Sequence, residues 1–264
     1  MAKPTSTGFA MLQQAVAHHQ SGNLDTAARL YQQILRTSPR DFNALRLLGV
    51  VRMQMGNLDE AQRLLLEAIK SNDKSADAFY YLGRLFVEKK DHASAIKYLD
   101  RCISLDAKNW SALIILGGIK RENKEPAGAV ALLQRALAIN PNAAEVWYDC
   151  AVSLYELGRY EEALAHCNNA IALTPGHADA FNVRGLVLHA LQRDMEALAS
   201  CEQSLALKPD QPSALNNLGL ALQALDRVEQ ALASYDKALA VEPGHISALI
   251  NRGNAPAARY RARS

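Results

Sequence analysis

The chain has 264 residues with 29 basic and 27 acidic side chains, a formal net charge of +2. Near balance excludes the strong basic field of a nucleic-acid binder. Hydrophobic residues at 49% and charged residues at 21% are ordinary for a folded, water-soluble chain.

Taken in order, Met1 to Gly8 is polar and lacks the apolar run of a signal peptide. Residues 1–7 are therefore expected to be a disordered N-terminus. From residue 8 the chain repeats with a period of 34. Ala27, Ala61, Ala95, Ala129, Ala163, Ala197 and Ala231 form one row. Gly49, Gly83, Gly117, Gly185, Gly219 and Gly253 form a second, with Ala151 in the gap and Ala15 in the first copy. Pro39, Pro141, Pro175, Pro209 and Pro243 form a third, lapsing at Asp73 and Ala107. A fixed period of this length means one supersecondary unit copied along the chain.

The unit from Ala144 to His177 shows its build. Val146, Trp147, Cys150, Ala151, Leu154 and Leu157 fall at helical spacing before Gly158 and Arg159 break the pattern. Ala163, Leu164, Cys167, Ala170 and Ile171 mark a second amphipathic helix, stopped by Thr174 and Pro175. Each unit is thus two antiparallel helices. Small residues at mid-helix positions let the paired helix approach closely, although Gly there costs about 1 kcal/mol against Ala.

Seven hairpins are expected, at 8–41, 42–75, 76–109, 110–143, 144–177, 178–211 and 212–245. A partial eighth covers 246–254. Residues 255–264 leave the pattern, with Ala255 and Pro256 interrupting the helix where other copies continue. This tail is expected to be a truncated end or a shifted reading frame, which favours a fragment of something longer.

Cys167 and Cys201 occupy a row filled elsewhere by Leu65, Leu99 and Leu133, and Cys102 shares a row with Ala68 and Ala136. They replace core hydrophobes, so no disulfide framework or metal site is expected, and unpaired thiols suit a reducing compartment. The longest apolar stretch, residues 112–119, is too short to span a bilayer. The expected location is cytoplasmic. No phosphate-binding Gly loop, His-Glu-x-x-His or Gly-x-Ser-x-Gly occurs, so neither catalysis nor a cofactor is expected.

The residues Trp147, Tyr160, Ala163, Ala170 and Pro175, and again Leu215, Leu218, Gly219, Ala231, Tyr235, Ala238 and Pro243, resemble the tetratricopeptide repeat. The likeness runs over about residues 8–254, with Gly117, Gly118 and Pro126 as departures. It implies an all-α right-handed superhelical solenoid of about seven hairpins plus a partial eighth. It also implies a concave groove, lined by the first helix of each pair, that holds an extended peptide or a partner helix. The last third, with Asn216, Asn217, Asn251 and Asn254, also resembles repeat arrays preceding the catalytic half of bacterial Spindly-type O-linked N-acetylglucosamine transferases. No transferase domain is present in these residues, so such an array would be the substrate-selecting part of a larger enzyme.

On that reading the groove residues are Arg46, Tyr80, Tyr81, Arg84, Tyr148, Asp149, Asn182, Asn216 and Asn217. Tyrosine gives large contact area at low entropic cost. Chaperone-binding members carry a carboxylate clamp with Lys three places before the small anchor. Here that row reads Leu12, Arg46, Tyr80, Ile114, Tyr148, Asn182, Asn216 and Ile250, so chaperone tails do not fit. The transferase arrays carry an asparagine two places before each anchor, of which only Asn217 and Asn251 stand here. Acids (Asp77, Glu88, Glu122, Glu145, Asp149, Glu156, Asp179) outnumber Arg46, Arg84 and Arg121 on the expected inner face. The expected partner is a protein segment with apolar anchors and some basic residues, not nucleic acid and not a membrane.

Overall fold

A computed structural model describes residues 6–255. Residues 1–5 and 256–264, and with them the expected disordered start and most of the expected non-repeat tail, lie outside the described residues. The described chain contains only helices, and none is long and apolar enough to cross a membrane. It falls into two compact units, residues 1–119 and 120–264.

In the first unit the hairpins are α1 (Ser6–Gln20) with α2 (Leu24–Thr37), α3 (Phe42–Gln54) with α4 (Leu58–Ser71), and α5 (Ala76–Glu88) with α6 (His92–Leu105). Helix α7 (Trp110–Glu122) runs into the second unit. There α8 (Pro126–Ile139) is followed by α9 (Ala144–Glu156) with α10 (Tyr160–Leu173) and α11 (Ala178–Ala190) with α12 (Asp194–Leu207). Last come α13 (Pro212–Ala224) with α14 (Val228–Val241), and α15 (Ile246–Asn254). Helix α1 thus begins two residues before the expected start of the first repeat.

The small-residue rows meet their steric purpose. All seven row alanines are fully buried. A Cβ on Gly49 would stand 2.8 Å from Leu65 Cγ, on Gly83 2.5 Å from Leu99 Cγ, and on Gly185 2.5 Å from Cys201 Sγ. A Cβ on Gly219 would enter the Tyr235 ring. Each of these four glycines therefore seats one side chain of its own second helix, four residues after the row alanine. Where the anchor is Ala151, the residue on the equivalent position is the smaller Cys167, and both are fully buried.

Helix ends differ from the expected chemistry in two ways. Glycine closes the first helix at Gly22, Gly56 and Gly158, with φ near +75°. The same place in four other hairpins holds Lys90, Lys124, Gln192 and Asp226, each forced to φ of 59–60°. The two lapses of the proline row also end their helices on time. Asn72 and Asp106 accept from the backbone N–H of Lys74 (3.1 Å) and Lys108 (3.0 Å), side-chain turns that do the work of proline. Pro126, out of pattern in the sequence, opens α8 in its first turn, where its missing N–H costs nothing.

Successive helices pack on one another from α1 to α6 and from α8 to α15, and first helices also touch the following first helix: α3 with α5, and α9 with α11, α11 with α13, α13 with α15. First helices α9, α11, α13 and α15 therefore form one continuous layer in the second unit.

Candidate functional site

Five of the first helices start on a capping side chain, whereas α9 and α13 start at Ala143 and Gln211 without one. Asp41, Ser75 and Asn109 accept from backbone N–H groups three residues on, at 2.8, 3.4 and 3.0 Å. His177 and His245 do the same through Nδ1, at 3.3 and 3.2 Å. The caps fix where these helices begin, and so which residues two, three and six places before the anchor face away from the second helix.

In the first unit this face carries Arg46, Tyr80, Tyr81 and Arg84, all half-buried. The Tyr80 and Tyr81 rings meet edge-on at 5.2 Å, and the Arg84 guanidinium lies 5.9 Å from the Tyr80 ring centre. Arg46 lies against Phe42 and reaches Asp77 of the next first helix at 3.8 Å. Asp77 itself is exposed. Val50, expected beside them, is 4% exposed and belongs to the core.

In the second unit Tyr148 and Asp149 sit between two repeats. The Tyr148 ring lies 5.0 Å from the His177 imidazole, and His177 Nε2 is 3.4 Å from Glu145 Oε2. Asp149 Oδ1 is 3.2 Å from Arg121 Nη2. Burial nevertheless raises the Asp149 carboxyl above the usual range, with Arg121 opposing the shift and Glu145 adding to it. Burial, helped by Asp179 and Asp149, likewise raises the Tyr148 hydroxyl. Asp179 is held by Lys208 Nζ at 3.0 Å and by Gln211 Nε2. Sequence reasoning did not place His177 at this site. Its signal was position, since the cap row is where a side chain lies between two successive first helices.

The amides behave differently from expectation. Asn216 and Asn217 are 5% and 8% exposed, so they are not an open amide surface. Asn251 Nδ2 donates to Asn216 Oδ1 (2.9 Å), Asn216 Nδ2 to Asn217 Oδ1 (3.3 Å), and Asn217 Nδ2 to Asn182 Oδ1 (2.8 Å). Four amides thus form one directed chain across α15, α13 and α11. A buried amide left unpaired costs about 1–3 kcal/mol, and pairing across repeats removes that cost. Asn182 is the half-buried end of the chain.

Among the described residues no group of His, Cys, Asp and Glu side chains is arranged to hold a metal ion. The four cysteines are free and buried.

Comparison with known proteins agrees with this geometry. Tetratricopeptide repeat patterns match residues 18–85 and 120–186, and others of the same description match 76–109, 94–144 and 212–245. No curated protein sequence matches the chain significantly. Among solved structures it is similar to YrrB, described as a tetratricopeptide repeat protein with an unusual peptide-binding site. The two share 23% identity over 71% of this chain and 97% of that one, with a TM-score of 0.68. The C-terminal part of a repeat protein from Cytophaga hutchinsonii superposes with a TM-score of 0.70 at 14% identity, over 91% of this chain and 98% of that one. Pseudomonas aeruginosa PilF gives 0.63 at 16% identity, over 84% and 97%. At such identities the likeness speaks for the fold. Together with the anchor rows and the hairpins they seat, the matched repeats show that this chain belongs to the tetratricopeptide repeat family, a class of protein-interaction scaffold.

Proposed function

We propose that the protein is a non-catalytic adaptor that holds an extended peptide or helix of a partner protein on the first-helix layer. The observation that carries this reading is the half-buried aromatic face: Tyr80 and Tyr81 with Arg84 in one unit, Tyr148 with Glu145 and Asp149 in the other. These rings are half-buried and held in place by neighbours, and rigid tyrosines suit a binding surface. Exposed Asp77 and Glu145 beside them favour a segment with apolar anchors and some basic residues.

The alternative, a substrate-selecting array of a larger O-linked N-acetylglucosamine transferase, depends on amides that reach a bound backbone. Asn217 and Asn251 donate to other amides of the chain instead, which favours the adaptor. Affinity capture with wild type and with the Tyr80→Ala/Tyr148→Ala variant tests the proposal. Partner recovery should fall at least tenfold, since a central tyrosine in an interface is worth about 2 kcal/mol or more. Equal recovery by a folded variant refutes it.

A further inference from the structure

The row one place before the anchors is a core row. In the inner repeats it holds Leu48, Leu82, Leu116 and Cys150, all at most 2% exposed, and later Leu218, while the terminal copies place exposed Gln14 and Arg252 there. In the hairpin of α11 and α12 it holds Arg184. On the facing helix the row three places after the alanine reads Leu30, Leu64, Tyr98, Leu132 and His166, and then Ser200 opposite Arg184. An apolar pair has been exchanged for a guanidinium and a hydroxyl.

The exchange is only partly satisfied. Arg184 Nε donates to Ser200 Oγ at 3.0 Å and Nη1 to Asn168 Oδ1 at 3.4 Å, while the guanidinium lies over the Phe181 ring at 4.9 Å. A guanidinium has five N–H donors, so three remain. No carboxylate of the described residues pairs with it. Glu196, the acid it senses, is gripped by Arg193 through Nε and Nη2, both at 2.7 Å. Burial lowers the Arg184 pKa, with Glu196 opposing the shift, and the side chain is half-buried.

Arg184 lies in a cleft of about 280 Å³ on the second-helix side, whose apolar walls are Leu164, Leu188 and Ala199. We propose that this cleft is a carboxylate-binding site, in which the unused Nη1 and Nη2 protons of Arg184 hold the two oxygens and the walls take an apolar stem. Arg184 and Arg193 against Glu196 leave one net positive charge, which matches a monocarboxylate and not a phosphate dianion. The apolar walls select the same class. The site lies between α11 and the second helices α10 and α12, apart from the tyrosine face, and does not rest on the function proposed for that face.

The test is a titration of the full chain with N-acetylleucine, followed by the arginine Nε–H resonances in ¹⁵N-correlated NMR. A saturable shift of the Arg184 signal is expected. Binding should weaken at least tenfold in Arg184→Leu, read from backbone resonances of α10 and α12. That variant carries the residue the following repeat uses, Leu218, so it should keep its helical circular dichroism; Arg184→Gln gives the same reading with a polar side chain. N-acetylleucinamide and inorganic phosphate should leave the signal in place. A peptide ending in free leucine that binds more tightly than N-acetylleucine assigns the end of a partner chain, and weaker binding assigns a free acid. The absence of a saturable shift, equal binding of the amide or of phosphate, or undiminished binding by the two variants overturns the site.

Discussion

Substituting Gly83 by alanine tests the anchor row directly, because two effects of opposite sign meet there. Helix propensity alone favours alanine in a helix interior by about 1 kcal/mol. Against that, the new methyl would stand 2.5 Å from Leu99 Cγ and 2.6 Å from Cδ2. Cγ is the branch point of that side chain, not its free end, and Leu99 is fully buried. Relief therefore requires the α5–α6 pair to separate, and overpacking of this kind costs about 1–3 kcal/mol. The net expectation is a loss of about 0.5–2 kcal/mol in urea unfolding followed by circular dichroism. The chain supplies its own control, the pair Ala151 and Cys167, both fully buried. In a Leu99→Cys background the same Gly83→Ala change should lose its cost and stabilise by up to about 1 kcal/mol, a reversal of sign in a double-mutant cycle. If Gly83→Ala stabilises the wild type, close approach is not what holds glycine in this row.

Lys90 and Gln192 hold φ of 60° where other hairpins have Gly22, Gly56 and Gly158. The left-handed conformation costs an L-residue roughly 1–2 kcal/mol, partly offset by the greater unfolded entropy of glycine. Lys90→Gly and Gln192→Gly should each therefore stabilise by about 0.5–1 kcal/mol; a lower urea midpoint for both rejects the strain argument. The buried thiols predict a second, pH-dependent effect. Burial pushes Cys102 up to about 11 and Cys150, Cys167 and Cys201 up to about 12, whereas a thiol in the unfolded chain ionises near ~8.5. The unfolded state loses these protons first, so the stability is whole below about pH 8.5 and falls as pH rises toward the folded values, by up to about 1.4 kcal/mol per unit for each thiol. Urea midpoints should drop from pH 8 to pH 10, and less so in Cys102→Ala, which installs the residue found at Ala68 and Ala136; a flat profile rejects the assignment.

The period of the sequence made the repeated all-helical fold legible, because the rows that carry it are contacts and not decoration. Ala129 and Gly83 recur for the same reason that they are buried: a second helix passes there. Helix ends were less legible. Proline and glycine announce a stop, but Asn72 and Asp106 stop a helix by side-chain turns, and Lys90 does so at a strained φ, neither of which shows as a breaker in composition. The site was legible as a set of faces and not as a set of contacts. Tyr80 and Tyr148 are half-buried against Tyr81 and His177, contacts their spacing did not contain. Whether Asn217 addresses a ligand or the protein depends on Asn182, 35 residues away, and no local pattern contains that pairing. His177 was missed for a related reason, being read as a turn residue when its ring fills the space between two first helices.

A repeated fold places many residues in one environment, so a departure from a row can be judged by whether something answers it. At Gly219 the departure is on the other side, where Tyr235 replaces leucine, and glycine gives the ring its room. The amides at Asn216 and Asn217 stand in rows that other repeats fill with tyrosine, apolar, charged or amide residues, and each finds a donor or acceptor within the chain. Such changes need nothing outside the protein. Arg184 differs, because Ser200 and Asn168 satisfy its hydrogen bonds in part and no carboxylate pairs with it directly. Asp149 is an intermediate case, paired with Arg121 yet still raised by burial. Repeats that need only to stack would have no reason to keep a guanidinium among leucines, where an apolar residue of similar volume is often the more stable choice. A ligand that brings the missing negative charge supplies that reason.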